Sequence, residues 1–132
     1  MSDDGSMAAI AQSAAQDLAM ITNGPSSYFY ETGFCSFGFN NAVTNGWTGL
    51  QFGITSDKDV SLSVNLQTGT VTVACSSFTN KYLTISVPVG ITQYQIPFSS
   101  FPNANLNNIM SVSFESPTPA GTLSFSPLFF YC

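Results

Sequence analysis

From Tyr28 onward, apolar and polar residues alternate one for one in run after run, and this period of two is what most restricts the folds open to the chain. Successive side chains of a β-strand point to opposite faces, so such a run makes a strand with one face buried and one wet. Leu50, Phe52 and Ile54 alternate with Gln51, Gly53 and Thr55, and Val60, Leu62, Val64 and Leu66 with Ser61, Ser63 and Asn65. The same phase sets Val71, Val73 and Cys75 inward, then Leu83, Ile85 and Val87 against Tyr82, Thr84 and Ser86. Tyr94, Ile96 and Phe98 oppose Gln93 and Gln95, Met110, Val112 and Phe114 oppose Ser111, Ser113 and Glu115, and Leu123 and Phe125 oppose Thr122, Ser124 and Ser126. Tyr28 to Phe39 makes a further strand. Turn-forming residues fall between the runs, at Asn45-Gly46, Ser56 to Asp59, Thr68-Gly69, Pro88 to Gly90 and Pro117 to Gly121. The pattern predicts an all-β fold, an antiparallel two-sheet β-sandwich or jelly roll of about eight strands.

A chain of 132 residues, 44 % of them hydrophobic, has the material for one core and one domain. Residues 1–27 read differently from residues 28–132. Met7, Ile10, Ala11, Ala14, Leu18 and Ile21 recur at three- and four-residue steps, with Asp4 or Ser6 to cap a start and Gly24-Pro25 to stop it. This predicts a short N-terminal helix, or a disordered lead, peripheral to the sandwich because an Ala-rich segment has little bulk to bury. Cys35, Cys75 and Cys132 make an odd count, which allows one bridge with one thiol left over, or three reduced cysteines. A Cys35–Cys132 pairing is expected, because the first and last strands of such sandwiches are often neighbours. With the Ser/Thr/Asn-rich surface, this favours a secreted, extracellular setting.

Charged residues are only 7 % of the chain and basic ones only Lys58 and Lys81, for a formal charge of −5. That leaves no cationic footprint for nucleic acid or anionic lipid, and no run is long enough to span a membrane. The absence of histidine removes Ser-His and Cys-His nucleophiles, the commonest general base and the commonest metal ligand. Of the acids Glu31, Asp57, Asp59 and Glu115, two could in principle form a glycosidase's carboxylate pair, but turns and strand ends are ordinary places for solvated carboxylates. A structural calcium ion held by such acids with Asn or backbone oxygens is more credible, though no loop motif marks a site. No other cofactor is expected.

Strand phase places Trp47, in parity with Gln51, on an outward face, and Tyr82 with Thr84 and Ser86 on another. Exposed rings flanked by neutral hydrogen-bonding side chains suit sugars, whose C–H faces stack while their hydroxyls bond. Trp47 and Tyr82 are therefore candidate platforms, assisted by Gln51 and Asn65. A lone Trp in a sandwich is also a common core or sheet-end packing residue, and Tyr82 also reads as plain strand surface.

The runs Trp47 to Ile54, Tyr94 to Phe101 and Leu106 to Phe114, followed by the apolar strand Thr122 to Tyr131, resemble galactose-binding-like β-sandwich domains, which include many carbohydrate-binding modules. The resemblance implies a non-catalytic module for a neutral polysaccharide or glycan, appended to a larger cell-wall-active protein. A structural or adhesive surface protein, or a small polysaccharide-acting enzyme with paired carboxylates, are the alternatives. The resemblance supports fold more than ligand and assigns no individual sugar-binding residue.

Overall fold

The computed structural model describes residues 7–12, 17–22, 28–33, 42–69, 78–119, 121–126 and 128–132. In chain order the elements are β1 (Met7–Gln12), β2 (Asp17–Thr22), β3 (Tyr28–Gly33), the one-turn helix α1 (Ala42–Asn45), β4 (Gly49–Ser56), β5 (Val60–Gly69), β6 (Phe78–Val87), β7 (Gly90–Pro97), β8 (Ile109–Thr118), β9 (Thr122–Phe125) and β10 (Phe129–Tyr131). They form two antiparallel sheets, a six-stranded one around β4 and a four-stranded one ordered β3-β8-β5-β6. This is the two-sheet β-sandwich that the alternation predicts. The expected strand at Val71, Val73 and Cys75 lies outside the described residues.

The core is the set of positions the alternation turns inward. From the first sheet come Leu50, Phe52 and Ile54 of β4, Ile96 of β7, and Leu123 and Phe125 of β9; from the second come Val60, Leu62, Val64 and Leu66 of β5 with Val112 and Phe114 of β8, all buried. Phe114 bridges the layers, meeting Phe52 edge-on at 5.0 Å between ring centroids and Phe125 at 4.8 Å. Such contacts add to the area each ring removes from water. β6 and β7 belong to different sheets, so the Pro88-Val89-Gly90 corner carries the chain between layers, with Gly90 at φ 101°. A side chain at that φ would strain the corner.

β4 organises the first sheet. β7 pairs with its whole length, while β9 covers Ile54 to Ser56 and β10 covers Gly49 to Gln51. Where β9 stops and β10 has not begun, Ser126 fills the gap. Its hydroxyl accepts from the Gly53 N–H at 2.6 Å and its own N–H donates to the Gly53 carbonyl at 3.0 Å.

The N-terminal expectation needs correction. Residues 7–12 and 17–22 are not helical; β1 and β2 pair antiparallel from Met7↔Thr22 to Gln12↔Asp17, and β2 joins β9 from Leu18↔Phe125 to Ile21↔Thr122. Ala, Met, Ile and Leu in short runs suit either period, and the open edge of β9 supplies backbone partners that a local pattern cannot reveal. The cysteine expectation changes as well. Cys132 is exposed and its thiol is free, so the Cys35–Cys132 bridge is not formed; Cys35 and Cys75 lie outside the described residues. No helix among the described residues is long and apolar enough to cross a membrane.

Candidate functional site

The outward positions of β5, β6 and β8 form a continuous polar surface on the four-stranded sheet. Cross-strand pairing sets Ser61 opposite Ser86, Ser63 opposite Thr84, Asn65 opposite Tyr82 and Gln67 opposite Asn80. On the other side of β5, Ser63 pairs with Glu115, Asn65 with Ser113 and Gln67 with Ser111. Directly paired residues share a face, so these side chains form rows across the sheet. The span from residue 61 to residue 67 is about 20 Å at strand rise. A cleft of about 490 Å³ lies at the Ser61–Ser86 end, bounded by Asp59 and Pro88.

The middle of this surface is bonded into one network. Asn65 is only 1 % exposed although it points outward; one Nδ2 group donates to Asn80 Oδ1 at 3.1 Å and to Glu115 Oε1 at 3.2 Å, while Oδ1 accepts the Lys81 N–H at 3.2 Å. Gln67 Nε2 donates to Asn80 Oδ1 at 3.1 Å, its Oε1 accepts from the Ser111 hydroxyl, and the Ser113 hydroxyl donates to Glu115 Oε1 at 2.8 Å. Among the described residues, no buried side-chain nitrogen or oxygen lacks a partner. The network is thus a fixed polar floor, since buried polar groups are costly unless each is satisfied. Asn65 spends both amide hydrogens inside the protein, which makes it a residue that positions Asn80 and Glu115.

Tyr82 stands beside this floor with 56 % of its surface exposed. Partial burial first, and then the charge of Glu115, hold its phenol above the ordinary tyrosine range. A half-open ring, neutral at physiological pH, next to amide, hydroxyl and carboxylate groups can stack on a sugar face and bond its rim.

The four residues singled out from sequence fall into two pairs. Asn65 and Tyr82 share this face. Trp47 and Gln51 belong to the other sheet's end and surface: Trp47, half-buried, stacks on Phe130 at 4.3 Å and 10° and packs against the core, and its backbone N–H donates to the Ala42 carbonyl at 2.9 Å. Gln51 accepts a bond from Gln95 Nε2 at 3.2 Å. Trp47 therefore takes the sheet-end packing role that its sequence also allowed, and the structure does not bring it to Tyr82. Sequence reading passed over Gln67, Asn80, Ser111 and Ser113 and treated Glu115 as an ordinary strand-end acid. Their outward parity was visible, but not that β5 lies between β6 and β8.

Two of the remaining acids are engaged elsewhere. Asp57 Oδ1 accepts the Thr122 N–H and Asp59 Oδ1 the Val89 N–H, each at 2.9 Å, so both pin turns. Glu31 stands opposite Ser113 in the β3–β8 register. Among the described residues, no three His, Cys, Asp or Glu side chains gather as a metal set.

This two-sheet arrangement recurs in solved structures. The family 11 carbohydrate-binding module from Clostridium thermocellum, in complex with a β-1,3-1,4-mixed-linked tetrasaccharide, matches 95 % of this chain and 81 % of its own, with a TM-score of 0.66 at 15 % identity. The fold is that of carbohydrate-binding modules. The family 30 module of the cellulosomal cellulase Cel9D-Cel44B of the same organism matches over 99 % of this chain and 84 % of its own, with a TM-score of 0.67 at 7 % identity. A third structure, PfGH50B, has a TM-score of 0.67 at 12 % identity over 94 % of this chain, which corresponds to only 21 % of that longer chain. No protein-family model matches the sequence, and neither does any curated protein.

Proposed function

We propose that this domain is a secreted, non-catalytic carbohydrate-binding module that holds a neutral polysaccharide on the outward face of the β3-β8-β5-β6 sheet. The observation that carries this reading is Tyr82, an exposed ring set beside an internally bonded polar floor with no cation on its face. Lys81 follows the opposite parity on β6, paired with the core residue Leu66, and Lys58 sits in the β4–β5 turn. In this reading Tyr82 is the stacking platform, Asn80 and Glu115 reach the ligand's hydroxyls, and Asn65 and Gln67 hold them in place. The likeness in fold to modules named for carbohydrate binding supports the reading, and so does the match to a minor part of a much longer chain, which suits attachment to a larger carbohydrate-active protein.

A panel of mixed-linkage β-glucan, xylan, chitin and soluble cellulose derivatives, read by affinity electrophoresis or calorimetry, tests it. Binding to at least one, weakened by Tyr82→Ala with the fold intact, is the expected result. No binding across the panel, or binding indifferent to Tyr82, would reject it.

A further inference from the structure

Across the outward rows of β5, β6 and β8, Glu115 is the one charged position. Glu115 is a half-buried carboxylate whose Oε1 takes both internal donors, Asn65 Nδ2 at 3.2 Å and the Ser113 hydroxyl at 2.8 Å. Neither of these two bonds uses Oε2, the second acceptor of this half-buried carboxylate. A carboxylate can only accept, and what it accepts best is a hydroxyl hydrogen. A ligand oxygen carrying negative charge meets repulsion there instead, and no Lys or Arg shares the face to offset it.

We propose that Glu115 is the specificity-determining residue of this surface, selecting glycans whose rim carries hydroxyls and turning away the same glycans when they carry carboxylates. The proposal rests on the glycan-binding reading above and extends it from which face binds to which chemistry is refused. Glu115 is suited to this because the network fixes it: Ser113, fully buried at 0 % exposure, and Asn65, at 1 %, allow its bonded oxygen little freedom. The discrimination is built in the free protein, before any ligand arrives, and acts against one kind of ligand as much as for another.

The test uses mixed-linkage β-glucan and the same polymer oxidised at C6 to uronate, each embedded in native gels at low salt, with wild type, Glu115→Gln and Asp57→Asn. Asp57→Asn removes an equal charge from the β4–β5 turn, away from the cleft, so it controls for the protein's overall acidity. Wild type and Asp57→Asn should bind the neutral polymer at least about tenfold more tightly than the oxidised one, the scale expected of two like charges a few ångströms apart at a surface. Glu115→Gln should keep neutral binding within about threefold and lose most of the discrimination, because the amide can still accept from Asn65 and Ser113. Equal binding of both polymers by wild type, or discrimination in Glu115→Gln equal to wild type, would overturn the assignment while leaving glycan binding standing. Wild type that binds neither polymer nor any other glycan would overturn both. Circular dichroism melts on the variants separate these outcomes from loss of fold.

Discussion

Replacing Trp47 by alanine removes one ring of the stack with Phe130 and uncovers the end of β4, and is expected to cost about 3 kcal/mol in a denaturant titration. Tyr82→Ala should behave in the opposite way, weakening glycan binding by about 1–3 kcal/mol while moving the melt little, because the ring is more than half exposed. Tyr82 also carries a pH signature. Its raised phenol means a contribution to stability that is complete below the unfolded tyrosine's pKa and is lost as pH rises through the folded one. Absorbance titration should show a late phenolate component, shared with Tyr94, which burial also raises, and Tyr82's part of it should be lost in Tyr82→Phe and shift to lower pH in Glu115→Gln, since that variant removes the second of its two causes. An unmoved step in Glu115→Gln would separate the two groups. At this scale the sequence told half of the story. Strand phase set Tyr82 outward correctly, but for Trp47 the same argument had to cross the turn preceding Gly49, where phase no longer constrains a side chain.

Among the elements, the strands with strict alternation were legible because their faces differ so sharply: β4, β5, β6, β7, β8 and β9 all stand where the alternating runs place them. The N-terminal segment, expected as a short helix or a disordered lead, forms strands instead: short runs of Ala, Met, Ile and Leu carry no such contrast, and the partner that makes β2 a strand is β9, roughly a hundred residues away. If β2 is an interior strand, proline at position 19, between β1 and β9, should lower the melting temperature markedly, since it removes a ladder donor. A lead lying off the sandwich would be indifferent to it. Ser126→Ala is a finer test of the first sheet. It leaves the part-buried Gly53 N–H without its acceptor and should cost about 1–2 kcal/mol, with Ser126→Thr restoring most of that. No local pattern could have announced this bond, because it exists only where two strands meet a third end to end.

The chain as a whole is sparsely charged and mildly acidic: 7 % charged residues and a net charge of −5 over 132 positions. A ligand held by stacking and uncharged hydrogen bonds displaces few ions, so affinity for a neutral polysaccharide should change by less than about twofold between 50 and 500 mM salt, in contrast to the steep dependence of a charge-driven complex. Calorimetry at the two salts would show it. A tenfold loss would point to ionic contacts that this face does not offer. Composition alone argues against a charge-driven partner, whereas the proposed ligand surface emerges only once topology sets β5 between β6 and β8.

The bond from the Lys81 N–H to the Asn65 side chain gives that network a clock. β6 is the outer strand of its sheet, where backbone amides exchange their hydrogens with water readily, yet this one is held by an oxygen buried to within 1 % of full closure. Its exchange rate therefore times the opening of the polar floor rather than the unfolding of the molecule. In Asn65→Ala it should rise toward that of neighbouring unbonded amides, and with a glycan seated on Tyr82 it should slow, reporting occupancy from the protein's own backbone.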